Sequence, residues 1–284
     1  MVLADIDLAQ RIECAETRLS ISIGEGARLH NPELNAFVTA IGRGAAVYAG
    51  PASPANKIIG VGFGEVPEGG LLDEIEHAYF DRASPVQGEI ATLASPSVQA
   101  FFTGRGYQLQ GFENVLGRTL TDDDVQPGTA GELDVEPVSG GALAPWMDIT
   151  ITGFEHPDAT GAGSGVAPPP RQAIMEAYRQ ITRTDGFRAY IARFGDTPAG
   201  GGSLRIDAGI AQLCGASTLP SFRRRGVQAG LLRRRLQDAR LAGCDLAVMT
   251  AQPGSKSHFN AQRQGFSLLY SRAILVKEPA GRAL

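Results

Sequence analysis

The stretch "SFRRRGVQAGLL" (221–232) decides how this chain reads. An apolar run, "AGIAQLCGASTL" (208–219), precedes it and has the look of a strand. An amphipathic helix follows from about Val227 to Leu241. Strand, glycine-bearing turn and helix start together form an anion site. The first helical N–H groups have no partner inside the helix, and the helix dipole places partial positive charge there. Gly226 permits close backbone approach or a positive φ. Arg223, Arg224 and Arg225 add charge and the geometry for a bidentate phosphate contact. Arg233, Arg234 and Arg235, further along the same helix, read as a solvated face. The stretch lacks the lysine and serine or threonine of a Walker loop, and it is not the dinucleotide G-x-G-x-x-G.

The 284 residues are enough for two ordinary domains or one large one. Hydrophobic residues at 43% and charged residues at 20% describe a globular chain. A net charge of −4 gives no overall field towards nucleic acid or an anionic membrane, so the basic run needs a local reason. Cys14, Cys214 and Cys244 are scattered, without metal-ligand spacing, and read as buried reduced thiols. The opening "MVLADIDLAQRIECAE" is acidic where a secretory leader would be basic and then apolar. No apolar run is long enough to span a bilayer. The expectation is a soluble cytoplasmic protein without membrane or nucleic-acid partners.

Outward from the central stretch, residues 5–19 read as an amphipathic helix, and 37–50 and 57–65 as strands. Helix 71–82, strand 86–94, helix 95–107 and strand 108–120 follow. "TDDDVQPGTAGE" (121–132) reads as a linker between domains at 1–120 and 133–284. The second series has a strand at 133–138, a helix from 144 and the low-complexity "ATGAGSGVAPPP" (159–170). A helix at 171–183 and a hairpin over 187–207 come next. After the central stretch come strand 244–251, helix 255–264 and closing strand 266–277. The two halves share an order. "VQGEIATLASPSVQAFFTGRGYQLQGFENVL" (86–116) and "DLAVMTAQPGSKSHFNAQRQGFSLLYSRAIL" (245–275) both run strand, Pro/Ser turn, helix, Gly-aromatic, strand. A fold-level repeat accounts for this.

"RRRGVQ" (223–228) resembles the Arg/Gln-x-x-Gly-x-Gly/Ala loop of the GCN5-related N-acetyltransferase (GNAT) superfamily. Residues 133–277, with "NAQRQGF" (260–266), are similar to that family's strand, loop, helix, strand, helix and Gly-Phe order. Residues 1–120 resemble a degenerate second copy without the CoA loop. The resemblance implies an α/β (α+β) chain of two tandem GNAT-like domains. Each would have a mixed, mostly antiparallel central sheet flanked by helices. Two positions depart from the pattern. Gln228 stands where Gly or Ala is usual, and Ala261 stands where the family often has its general-acid tyrosine.

What the resemblance implies is an N-acetyltransferase that uses acetyl-CoA as cosubstrate, without a metal. The pyrophosphate would lie on Arg223, Arg224, Arg225, Gly226, Val227, Gln228 and Ala229. The backbone of Ser217, Thr218 and Leu219 would hold the pantetheine arm and polarise the thioester carbonyl. Ser257 and Asn260 would contact the cosubstrate as well, with Ser257 read first as a helix-start residue. A primary amine, of a small molecule by preference, would attack the thioester directly in a ternary complex. Tyr270 is the candidate general acid and Asp207 a candidate base, with Glu155 and His156 as further residues near the acceptor. Trp146 and the loop 153–170 are the expected gate on the acceptor side. Glu65, Glu68, Asp73, Glu74 and Glu76 stand where the first copy would need its arginines, so that half is expected not to bind CoA. The competing reading is a non-catalytic acyl-CoA sensor or partner-binding module of the same fold. The sequence leaves monomer and dimer both open.

Overall fold

The computed structural model describes residues 3–125, 132–156 and 169–279. These divide into two compact units. One, called outer because it takes the two ends of the sequence, has residues 3–116, 169–181 and 250–279; the other, called central by its place in the sequence, has 117–125, 132–156 and 182–249.

The outer unit opens with α1 (Ile6–His30), capped by Asp5, whose side chain accepts from the Leu8 N–H at 2.8 Å. Its buried stripe of Ala9, Ile12, Ala15, Leu19, Ile23 and Ala27 continues well beyond the expected end at residue 19. Residues 37–50 are two strands, not one: β1 (Phe37–Ile41) and β2 (Gly44–Tyr48) pair antiparallel around Gly42, whose φ is 56°. Next come β3 (Lys57–Ile59), α2 (Gly69–Phe80), β4 (Val86–Ala91), α3 (Pro96–Gly104) and β5 (Gln108–Thr119).

The central unit contributes β6 (Leu133–Val138) and α4 (Leu143–Glu155). The outer unit then takes α5 (Arg171–Ile181). The chain goes on through β7 (Phe187–Phe194), β8 (Thr197–Asp207), β9 (Ile210–Gln212), β10 (Ala216–Thr218), α6 (Val227–Leu241) and β11 (Leu246–Ala251). It closes with α7 (Lys256–Arg263) and β12 (Ser267–Lys277).

The sheet of the outer unit has the order β1-β2-β3-β4-β12-β5. β12 runs antiparallel to β4, from Arg272↔Ala91 to Lys277↔Val86. The closing strand of the sequence thus completes the sheet begun by the first copy, and a division by sequence order at 133 differs from the division by packing. α5 crosses in the same way. Gln180 and Asn31, the latter at the end of α1, both donate to Glu176, and a Cβ at Gly26 would lie 2.8 Å from the Gln180 Oε1. Pairings of this kind are non-local, so no local propensity announces them. The Gly-aromatic punctuation of the repeat has a shared geometry. Gly106 and Gly265 have φ of 87° and 82°, and each precedes an aromatic whose N–H reaches back five residues, Tyr107 to Phe102 O and Phe266 to Ala261 O. Both helices therefore end in the same left-handed motif, and both aromatics are buried.

The sheet of the central unit has the order β11-β9-β8-β7-β6, with β10 paired to β8. β7 and β8 form the expected hairpin, turning at Gly195 and Asp196. α4 and α6 pack on opposite faces of β8, because successive residues of a strand face opposite sides. A Cβ at Gly201 would lie 2.2 Å from Thr150 Oγ1 and 3.0 Å from Trp146 Nε1, both on α4. A Cβ at Gly200 would lie 2.9 Å from Val227 on α6. The glycine run of β8 lets two helices press onto one strand. Trp146 belongs to this packing. It is fully buried, its Nε1 donates to Tyr190 O at 3.0 Å, and its ring meets Phe187 edge-on. That corrects its expected place as a gate; residues 157–168 of the same proposed gate lie outside the described residues. Of the three thiols only Cys244 is fully buried, while Cys14 and Cys214 are partly exposed. No described helix is long and apolar enough to cross a membrane.

Candidate functional site

The site is built where β9 gives way to β10. β9 pairs in parallel with β11 from Leu246↔Ile210 to Val248↔Gln212, and the Leu213 N–H still reaches Val248 O at 2.8 Å. The chain then bulges through Cys214 and Gly215, whose φ is 110°, and β10 continues on β8 alone. Sequence reading took 208–219 as one strand, because the break depends on partners and not on residue type. Ser203 N–H donates to Gly215 O, and Leu219 N–H donates to Ala199 O. Antiparallel alternation therefore turns the backbone of Ser217 and Leu219 onto β8, and leaves the N–H and C=O of Ala216 and Thr218 facing the other way. Of the three residues expected to hold a ligand through their backbone, only Thr218 has its groups on the free edge, and Ala216 joins it. Thr218 Oγ1 is buried and finds no hydrogen-bond partner among the described residues. Ser217 is held from behind, its Oγ donating to Thr150 O at 2.7 Å.

The loop follows directly. Arg224 is exposed with a left-handed φ of 60°, and Gly226, the N-cap of α6, has a φ of 81°. The first intrahelical bond runs from Gly230 N–H to Gly226 O at 2.9 Å. The N–H groups of Val227, Gln228 and Ala229 thus precede any helical partner and point out of the helix start. The three arginines have different surroundings. Arg223 donates to His156 O at the end of α4. Arg225 lies 4.0 Å over the Phe194 ring and 5.5 Å from Phe222, and those two rings stack on each other. The arrangement fits an anionic diphosphate followed by an extended arm: open N–H donors at the helix start, an exposed arginine two residues before Gly226, and a free strand edge ending in a buried hydroxyl without a partner among the described residues. Among the described residues no group of three or more His, Cys, Asp or Glu side chains is placed to hold a metal ion.

The expected proton-transfer residues lie elsewhere. Asp207 ends β8 at the tight turn to β9 and accepts from Arg205 at 3.1 Å. Five residues of strand separate it from Gly202, the partner of Ala216, or about 16 Å. It is too far along the strand to serve a thioester at Thr218. Glu155 and His156 are exposed at the end of α4. Tyr270, Ser257 and Asn260 belong to the outer unit. Ser255, and not Ser257, caps α7, accepting from the His258 N–H at 3.2 Å; Ser257 is exposed and Asn260 half-buried.

Tyr270 is part of a buried ionic cluster that sequence reading missed. Its hydroxyl donates to Glu13 Oε1 at 2.6 Å, and Arg272 Nε donates to the same oxygen at 2.8 Å. Arg272 is 1% exposed and also donates to Glu113 at 3.0 Å, while Lys57 donates to both oxygens of Glu89. Burial, then the Glu13 charge, drive the Tyr270 hydroxyl well above the ordinary phenol range. A phenol so placed is a poor proton donor, which argues against the general-acid role. Burial opposes the charge on Glu89, but Lys57 and Arg272 outweigh it and hold that carboxyl low. Burial, then the charge of Glu89, raise Glu113.

A second missed residue is Arg235. The expectation of a solvated face at 233–235 fails there: Arg235 is 4% exposed and bonded to backbone carbonyls, and Arg234 pairs with Asp238 and donates to Val135 O. The signal was present, since positions 227, 231 and 235 recur at helical spacing on the apolar side of α6.

Residues 156–266 match the model of the acetyltransferase (GNAT) family. No curated protein matches the sequence. Among solved structures, a GCN5-related N-acetyltransferase from Kribbella flavida superposes with a TM-score of 0.60 at 16% identity, covering 91% of this chain and 97% of its own. A tandem GNAT protein from the clavulanic acid biosynthesis pathway gives 0.57 at 13% identity, over 87% of this chain and 80% of its own. A GCN5-related N-acetyltransferase from Sphaerobacter thermophilus gives 0.54 at 17%, over 75% and 69%. The chain therefore has the GNAT fold, of mixed α/β class with mainly antiparallel sheets flanked by helices, in the tandem form.

Proposed function

We propose that this GNAT-fold chain, matched to the family over residues 156–266, binds acetyl-CoA in its central unit and transfers the acetyl group to the primary amine of a small molecule. The observation that carries the reading is the free edge of β10 leading into the open helix start at Gly226. The N–H groups of Val227, Gln228 and Ala229, with Arg224, would take the pyrophosphate. Arg223 and Arg225 brace the loop from either side through His156 and the Phe194–Phe222 pair. The backbone of Ala216 and Thr218 would align the pantetheine arm as an added strand, and an N–H on that edge would polarise the thioester carbonyl.

In the reaction the neutral amine nitrogen attacks the acyl carbon, the C–N bond forms, the C–S bond breaks, and the leaving thiolate takes, directly or through water, the proton that the acylated nitrogen gives up to become an amide. An alkylammonium of pKa about 10 must first lose a proton to water or a base, whereas a thiol of pKa about 8.5 leaves with little help near neutral pH. The outer unit is proposed not to bind CoA. Its corresponding strand end is closed, because Ser95 N–H donates to Gly62 O at 2.9 Å and a Cβ at Gly62 would lie 2.4 Å from Ala94. Its helix α2 follows Glu68 where the central unit has arginines.

Two observations favour a second reading, a non-catalytic acyl-CoA sensor: Tyr270 is committed to Glu13, and Asp207 is far along β8. Calorimetry with acetyl-CoA, then thiol release over a panel of amines, separates the two. Binding with turnover on some amine supports the transferase, and binding without turnover on any supports the sensor. The absence of binding removes both.

A further inference from the structure

Arg235 is buried on α6, two turns beyond the helix start, or about 12 Å along the axis from Val227. Its Nε donates to Leu231 O on its own helix at 3.1 Å. Its Nη1 donates to Ser203 O at 3.1 Å and to Gly215 O at 3.3 Å. Ser203 is on β8, and Gly215 is the last residue of the bulge from which β10 departs. The guanidinium packs against β8: a Cβ at Gly202 would be 3.5 Å from its Cζ and Nε. The backbone N–H of Ser203 already donates to Gly215 O, so that carbonyl accepts twice.

A buried guanidinium aimed at backbone carbonyls is a costly way to fill space, since burying its charge is unfavourable unless its donors are satisfied. Here it does something an apolar side chain cannot. At the bulge Cys214 N–H donates to Ser203 O and Ser203 N–H donates to Gly215 O, so the chain leaves β11 after Leu213 and is held by β8 alone. Arg235 ties the carbonyl at the bulge to the same helix whose N-terminus forms the loop site. We infer that Arg235 is a positioning residue for the acyl-CoA site. It holds the free edge of β10 in a fixed relation to the anion-binding start of α6, and so determines how well the pantetheine and thioester portion is bound. The inference rests on the proposed acyl-CoA binding, and it goes further by assigning a residue that touches neither ligand nor loop.

The test compares two ligands on the full-length chain by calorimetry: acetyl-CoA, and 3′-phosphoadenosine 5′-diphosphate, which carries the anion but no pantetheine arm. The quantity read is the ratio of their dissociation constants in wild type, Arg235→Met and Arg235→Lys. Losing charge-assisted bonds that fix the edge should weaken acetyl-CoA about tenfold or more in Arg235→Met, and leave the fragment within about twofold. Arg235→Lys, which reaches one carbonyl but not the full set, should fall between. Where Arg235→Met does not fold, the lysine variant carries the comparison. A ratio equal to wild type in a folded variant overturns the inference, as does an equal loss for both ligands, which a merely structural residue would produce. If wild type binds neither ligand, the acyl-CoA reading itself fails, a result distinct from an unchanged ratio.

Discussion

Substituting Gly226 separates the backbone requirement of the loop from its electrostatics. Gly226 has a φ of 81°, and a Cβ built there meets nothing within 4 Å. Gly226→Ala therefore introduces no clash, and its cost is the left-handed conformation alone, about 1–2 kcal/mol. Gly226→Asp bears a smaller backbone cost, because aspartate tolerates the left-handed region better than alanine, and its carboxylate beside the open N–H groups of α6 recovers about 0.3–1 kcal/mol more from the helix dipole. Without ligand, the aspartate variant should thus unfold at a slightly higher temperature than the alanine variant. With ligand the order reverses. One added charge roughly 5 Å from a pyrophosphate bearing about two charges, at an effective dielectric near ~40, costs about 3 kcal/mol, or on the order of 100-fold in affinity. Thermal unfolding and acetyl-CoA calorimetry on the two variants read both halves. Equal acetyl-CoA affinity in the alanine and aspartate variants would refute the placement of the anion at this helix start. An alanine variant as stable as wild type would refute the backbone part.

Other outcomes follow from the packing. Tyr79, Tyr107, Tyr190 and Tyr270 all have hydroxyls raised above the ordinary phenol range, burial being the largest cause in each. A raised value favours the neutral phenol in the folded state. Stability is therefore intact below the ordinary phenol pKa of about 10, and is lost as pH climbs from there towards the folded values. Absorbance of tyrosinate should lag behind that of free tyrosine and then rise together with unfolding; a smooth titration of all tyrosines near pH ~10 would contradict this. Arg272→Met should destabilise the outer unit by about 3–5 kcal/mol, because it takes the paired guanidinium away from the buried Glu13 carboxylate, and denaturant unfolding measures it. Gly201→Ala places a methyl 2.2 Å from Thr150 Oγ1 and should cost about 1–3 kcal/mol; an unchanged unfolding midpoint would show that α4 yields freely.

The loop was legible because a helix start and its glycine are local features, and Gly226 has the positive φ its position required. The repeat was legible through Gly106-Tyr107 and Gly265-Phe266, which mark the same helix-ending motif twice. What was not legible depends on partners distant in sequence. β12 reads as the end of the second half, yet its hydrogen bonds go to β4. The bulge at Cys214 and Gly215 exists because β10 follows β8 while β11 follows β9, which no alternation of residue types encodes. Arg235 and Arg272 were hidden by residue type, since arginine is read as solvated unless its neighbours on the helix or strand are counted. Trp146 is core, as a lone tryptophan most often is, and it packs against the Gly201 backbone in place of gating the acceptor side.

We propose that the chain binds acyl-CoA at one place, the free edge of β10 and the helix start at Gly226. The most direct measurement is the stoichiometry of acetyl-CoA binding to the full-length chain by calorimetry. The account predicts one molecule per chain, with binding strongly weakened in Gly226→Asp. Two molecules per chain, or a single site indifferent to Gly226→Asp, would contradict it.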